Sequence, residues 1–427
     1  MPQNWKTYKI GELVGLKQGL AINKGTNHLL CEKGEHSIPL FKIRDLLNDT
    51  VEHYVKADEV PVQCIANEDD LIYTRTGQVG HVIRGKIGCI HNNCFKVIPD
   101  NRIDCGFLYH FLRNPVIRKH ANDIASGSVQ KDLNHSAFKS IPIDVPDSIE
   151  EQKAIASILS ALDDKIELNL QTNRTLEEMA MALYKHWFVD FGPFQKGNFI
   201  DTELGAIPEG WEVKRLDSLI KFSNGYGFKS KQLLKEEEND CFHVFKMGHI
   251  NKGGGLKANG TKSWIKRSDC IGLERFVLKV GDILMSMTDM KDNMTILGHT
   301  ALMNENDKFI VNQRVGLLRI DNAINVGYPF IFMLTNSYDY IDRLRSQANS
   351  GVQVNLSTDA IKSSKVITAP SEINLKFHSE CLPLFERINQ NSIENQTLTQ
   401  LRDTLLPKLI SGEVRVKDAE QTIANAL

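Results

Sequence analysis

Ile166, Asn169, Asn173, Leu176, Leu183 and Trp187 recur about 222 residues later, in order, as Ile388, Asn391, Asn395, Leu398, Leu405 and Leu409. A chain that repeats so long a pattern once is expected to fold one unit twice. The echo extends well beyond these positions. Trp5-Lys-Thr-Tyr-Lys-Ile-Gly-Glu-Leu13 returns as Trp211-Glu-Val-Lys-Arg-Leu-Asp-Ser-Leu219, and Asp70-Leu-Ile-Tyr-Thr-Arg-Thr76 as Asp282-Ile-Leu-Met-Ser-Met-Thr288. Val129, Gln130 and Leu133 return as Val352, Gln353 and Leu356. A period this long is far above the twenty to fifty residues of stacked repeats, so it predicts two copies of a whole domain plus its tail.

Two kinds of segment alternate. Residues 1–147 and 208–371 mix short strand-like runs, turns marked by Gly, Asn and Pro, and one helical stretch each, near Cys105–Arg113 and Tyr328–Ser346. These read as globular α/β domains. Residues 148–192 and 372–416 differ, because apolar or amide side chains recur there at alternating three- and four-residue steps, the 3.5-residue period of a coiled-coil seam. Ser148-Ile-Glu-Glu151 reads as a capping box opening the first long helix; Gly192-Pro193 closes it, and Ser411-Gly412 closes the second. Pro407 predicts a kink or an early finish. Residues 193–207 read as a linker and 417–427 as a flexible tail. The fold class expected is therefore α+β, with two tandem domains joined by two long helices.

Two asparagines in each seam sharpen the pairing. An amide in an apolar seam costs stability unless it finds a partner, and what it supplies is register. Antiparallel helices would set Asn169 against Asn395 and Asn173 against Asn391; a parallel pair would match like with like. The antiparallel arrangement is preferred, since it places the two domains at opposite ends of a rod. Some forty helical residues rise ~60 Å, which B-DNA covers in roughly 17 base pairs.

Composition sets outer limits. The chain has 427 residues, 41% hydrophobic, with a formal net charge of −2. Eight scattered cysteines fit reduced thiols, and no leader or bilayer-length apolar run is evident, so a cytoplasmic location is expected. Residues 208–371 hold 22 Lys+Arg against 18 Asp+Glu, while 148–192 hold 4 against 8. A polyanion would therefore meet the globular parts. No P-loop and no glycine-rich cofactor loop is present. Asp147, Glu151 and Lys153 resemble a nuclease string, but capping explains them. Cys89, His91 and Cys94 lack the second pair a zinc site needs. Neither a metal nor a cofactor is expected.

The most specific segments are Leu183-Tyr-Lys-His-Trp-Phe-Val-Asp-Phe-Gly-Pro-Phe194, Leu204-Gly-Ala-Ile-Pro-Glu-Gly-Trp-Glu-Val213 and Leu405-Leu-Pro-Lys-Leu-Ile-Ser-Gly-Glu-Val414. On these and the duplication, the chain resembles the specificity (S) subunits of type I restriction-modification systems over nearly its full length. The resemblance implies two target-recognition domains on an antiparallel coiled coil and no catalysis of its own. It further implies partners: double-stranded DNA, modification (methyltransferase) subunits and a restriction (translocase and endonuclease) subunit. A coiled-coil adaptor without DNA affinity and an enzyme with an unrecognised site are the other readings.

Base readout needs bidentate donors, and phosphate clamps need cations, hydroxyls and backbone N–H groups. Polar clusters at matching places in both halves are the candidates. Thr74, Arg75, Thr76 and Gln78 match the segment from Ser286 to Lys291. Ser126, Ser128, Gln130 and Lys131 match Ser350, Gln353 and Asn355. Lys42, Arg44, Lys246, Asn312, Gln313 and Arg314 complete the set. For each, a solvated loop or a domain-stabilising hydrogen bond is the plain alternative. Trp187, Phe188 and Phe191 form an aromatic cluster at a helix end, read either as a partner interface or as packing against the second domain.

Overall fold

The structure, a computed structural model, describes residues 4–257, 260–290, 294–320, 326–349 and 353–426. It divides into two units, Met1–Asn169 with Ile393–Leu427, and Leu170–Ser392. The long helices Ile149–Phe188 and Ser371–Ile410, 40 residues each, contribute a length to both. No helix among the described residues is long and apolar enough to cross a membrane.

In the first unit a four-stranded antiparallel sheet runs in the order Val14–Gln18, Cys94–Pro99, Leu71–Thr74, Val82–Ile83. A five-stranded sheet lies beside it in sequence, with Ser37–Phe41 parallel to Gly88–Ile90. Trp5–Lys9 pairs with Pro142–Pro146, closing the domain just before the long helix. The single helical stretch expected near residue 105 is two helices, Cys105–Arg113 and Pro115–Ile124. Asn114 ends one and caps the next, its Oδ1 accepting from the Val116 N–H at 2.9 Å, with Pro115 at the first helical position.

The second unit repeats this plan. Its four-stranded sheet runs Ile220–Asn224, Val315–Ile320, Ile283–Ser286, Thr300–Leu302. Cys241–Phe245 is parallel to Phe309–Val311, and Glu212–Arg215 pairs with Lys365–Thr368. Tyr328–Asn336 and Tyr338–Arg345 stand where the helix pair stands in the first unit. Even the ion pairs recur: Lys96 with Asp70 at 3.1 Å, and Arg319 with Asp282 at 2.8 Å. Gly19 and Gly225 occupy equivalent crowded places, where a Cβ would run into the carbonyls of His91 and Asn312.

The helix pairing is antiparallel within each unit. In the first, Asn169 Nδ2 donates to Asn395 Oδ1 at 2.9 Å, while Asp163, six residues before Asn169, takes Nη1 of Arg402, seven residues after Asn395, at 3.0 Å. In the second, Asn391 Nδ2 donates to Asn173 Oδ1 at 2.8 Å. Leu159, Leu162, Leu398 and Leu405 are buried along this seam, each contributing about 1.5–3 kcal/mol of transfer free energy.

Four local expectations need correction. Ser148 Oγ accepts from the Glu151 N–H at 3.3 Å, but the capping box is only half formed. The Glu151 carboxylate turns instead to Asn4 Nδ2, Trp5 Nε1 and Arg415 Nη1 at 2.8, 3.3 and 2.9 Å. Pro407 does not end its helix, which continues to Ile410; so close to the terminus the missing N–H leaves one carbonyl near solvent. Residues 193–207 carry a hairpin, Phe199–Thr202 with Gly205–Pro208. The expected flexible tail is a helix, Val416–Ala426, whose Ala419 is fully buried in the first unit's core.

Candidate nucleic-acid interface

In the first unit the strand Leu71–Thr74 empties into a turn that its own last residue closes. Buried Thr74 donates from Oγ1 to the Gln78 carbonyl at 2.5 Å and accepts from the His81 N–H at 3.0 Å. A second loop doubles back onto this turn. Ser126 and Asp132 form an isolated bridge, as do Thr76 and Asp132, and the Gly77 N–H donates to the Lys131 carbonyl at 2.7 Å. The two candidate clusters, more than forty residues apart in sequence, are therefore one site.

Its charge is fixed by Asp132. Arg75 grips that carboxylate with Nε at 3.1 Å and Nη2 at 2.5 Å, and Thr76 Oγ1 donates to it at 2.7 Å. The Arg75 hydrogen bond holds the Asp132 carboxyl below its usual range. Arg75 Nη1 reaches Gln18 Oε1 at 3.3 Å, and Gln18 is itself anchored to the carbonyls of Asn92 and Cys94. Gln78, Ser128 and Gln130 are exposed, and Val129 between the last two is entirely so. Lys131 turns inward, its amine on the Asn122 carbonyl.

Lys42 and Arg44 belong to a different corner. The Lys42 N–H donates to Asp45 Oδ2 at 3.0 Å at the start of the helix Ile43–Asn48, and Arg44 pairs with Glu52. The turn from His91 to Asn93 links that corner to Arg75, through His91 N–H on the Phe41 carbonyl at 3.0 Å and Arg75 N–H on the Asn93 carbonyl at 2.9 Å.

The second unit builds the same site with other residues. Thr288–Met290 pairs with Gln353–Asn355, and Thr288 Oγ1 donates to Asn355 Oδ1 at 2.9 Å, as Thr76 does to Asp132. Asn349 bridges Asn355 as Ser126 bridges Asp132. Asn312 accepts on Oδ1 from the Gln313 N–H, leaving Gln313 and Arg314 exposed beside half-exposed Tyr226. Lys246 is half-buried, donates to Ser263 Oγ at 3.0 Å, and is held below the usual lysine range by desolvation. Lys291 and Ser350 lie outside the described residues.

Gln18 and Asp132 carry no local signal, because their roles come from contacts 57 residues from Arg75 in either direction. The aromatic cluster is resolved toward packing. Phe188 is buried against Phe330 at 4.7 Å, Phe377 at 4.9 Å and Trp211 at 5.4 Å, with Trp187 and Phe191 half-buried around it. It forms the second unit's core instead of an open face. Burial pushes the Cys89 and Cys94 thiols up to about 12, so both are protonated at neutral pH. Among the described residues no group of three or more His, Cys, Asp or Glu is placed to hold a metal ion.

Fold and site together define a duplicated α+β chain with one polar loop cluster per copy, both copies built on a shared antiparallel helix pair. The chain belongs to the type I restriction modification DNA specificity domain family, whose model matches residues 2–178 and again 208–402. It is 29% identical over 357 residues to the type I restriction enzyme MjaIX specificity subunit of Methanocaldococcus jannaschii, spanning 82% of this chain and 78% of that one. It is 23% identical over 474 residues to the HindI specificity subunit of Haemophilus influenzae, spanning 96% and 100%. The crystal structure of the S subunit from M. genitalium has the same fold, with a TM-score of 0.56 at 19% identity, covering 95% of this chain and 96% of that one.

Proposed function

We propose that this specificity subunit is the non-catalytic DNA-recognition and scaffold component of a cytoplasmic type I restriction-modification complex. Each domain reads one half of a split duplex target, and the chain directs adenine methylation or ATP-dependent restriction by the modification and restriction subunits it holds. The observation that carries this reading is the equivalence of the two loop clusters. Thr76 with Asp132 and Thr288 with Asn355 pin corresponding polar loops in both copies, as a reader of two half-sites requires.

Adenine methylation mapped by single-molecule sequencing, in cells expressing the modification subunit with and without this chain, tests it. A split motif that appears only with the chain is expected. Methylation independent of the chain, together with no DNA binding by the assembled complex, would leave a protein-binding adaptor instead.

A further inference from the structure

We propose that Arg75 is the specificity-determining residue that reads a guanine in the half-site of the N-terminal domain. The assignment rests on the DNA-recognition reading above and names one contact within it.

Three of the five N–H groups of the Arg75 guanidinium are occupied: Nε and Nη2 by Asp132, Nη1 by Gln18. One N–H on each terminal nitrogen is left. Such a pair matches the O6 and N7 acceptors of guanine in the major groove, the commonest specific protein–DNA contact. The side chain remains 22% exposed. Its orientation is set in advance, because Asp132 is held by the Thr76 hydroxyl and Gln18 by two backbone carbonyls. The ordering cost of a long side chain is thereby met by the fold. The carboxylate also cancels the arginine's charge at a distance, which weakens general attraction for phosphate and leaves direction as the group's main asset.

The second copy shows that the ion pair is not needed to hold the loop. There Met287 stands in the place of Arg75 and Asn355 in that of Asp132, and the threonine hydrogen bond and backbone bridge persist. The arginine stands on the other member of the same backbone pair: the Arg75 N–H donates to the Asn93 carbonyl in one copy, the Met287 N–H to the Arg314 carbonyl in the other. Each copy keeps one arginine at that point.

The test uses the full chain assembled with its modification subunit, and R75M, which installs the second copy's residue, beside R75K. For wild type, 7-deazaguanine at one half-site position, which removes N7 but keeps O6, should weaken binding by part of the roughly 5- to 150-fold that a whole bidentate contact is worth. R75M, which removes both bonds, should lose about 5- to 150-fold on the natural duplex and be indifferent to the modified base. Its methylated motif should become degenerate at that position while the other half-site is unchanged. R75K keeps the charge but not the fork and should be degenerate as well. An unchanged motif in both variants would overturn the proposal, as would an equal loss on every sequence with a shallower salt dependence, which marks a phosphate contact. If wild type itself yields no methylated motif, the DNA-recognition reading fails and this assignment with it.

Discussion

Asn169 and Asn395 meet inside the helix pair with both side chains almost fully buried, 2% and 9% exposed. Asn169 donates to Asn395 at 2.9 Å and to Glu394 Oε2 at 2.8 Å, and Asn395 donates to the Ile166 carbonyl at 3.2 Å. Asn169 is the donor to the buried Asn395 oxygen, so removing Asn169 alone leaves that acceptor without it, whereas removing Asn395 leaves Asn169 its bond to Glu394.

N169L should therefore cost about 1–3 kcal/mol, the cost of leaving the buried Asn395 oxygen without its donor. The double variant N169L/N395L should regain most of that, because two apolar side chains facing each other need no partner. Urea unfolding of the four proteins in a double-mutant cycle measures the coupling. Additive losses would show that the amides act independently, contrary to this geometry.

How far this was legible in the sequence follows from the range of the forces involved. The seam could be read because its period repeats along one helix; the Asn positions alone allow a parallel or an antiparallel register, and the buried Asn169–Asn395 and Asn173–Asn391 pairs are the antiparallel one. The loops could be matched by order along the chain. What joined them could not: Asp132 sits one residue beyond the polar run ending at Lys131, and nothing local marks it as the acceptor for Arg75. Lys131 looked like a surface cation, yet its amine is spent on the Asn122 carbonyl. Phe188 looked exposable at a helix end because Trp211, which covers it, arrives 23 residues later. The closing helix Val416–Ala426 was missed because Pro407 and Gly412 suggested the chain was finished with regular structure.

Acid should weaken the fold before its carboxylates titrate. Burial lowers the His110 imidazole to about 3, with Nε2 3.0 Å from Ser160 Oγ. In the unfolded chain it binds a proton near pH 6.5. Between those values the unfolded state holds the extra proton, so stability falls as pH drops below about 6.5 and goes on falling toward 3. His81 and His249, lowered to about 4, act in the same direction. H110Q should flatten the decline between pH 6.5 and 4.5 by on the order of 2 kcal/mol. Equal slopes for wild type and H110Q in urea titrations across that range would remove the assignment.

Deleting residues 416–427 should destabilise the first unit and spare the second. The helix Val416–Ala426 covers the first unit's core with Ala419 fully buried and Val416 and Ile423 packed beside it. Losing several partly buried apolar side chains costs about 2–5 kcal/mol. Hydrogen exchange should accelerate in Trp5–Lys9, Pro142–Pro146 and the first turns after Ile149, with Ile220–Asn224 and Val315–Ile320 unchanged. Uniform or absent acceleration would show that the helix is not part of that core.

Arg314 should contribute affinity where Arg75 contributes choice. It is exposed, makes no ion pair with a described residue, and adjoins exposed Gln313 on the turn before Val315–Ile320. An uncancelled guanidinium on a turn attracts phosphate through charge, and releasing one condensed counterion changes the slope of log K against log salt by about 0.9. R314Q should thus make the slope for the assembled complex shallower by about one, with the methylated motif unaltered. Anisotropy titrations of a labelled duplex between 50 and 200 mM salt measure it, on target and on unrelated sequence alike. The loss should be the same on both, since phosphates carry no sequence. A loss confined to the target would make Arg314 a base reader, and an unchanged slope would place it away from the duplex altogether.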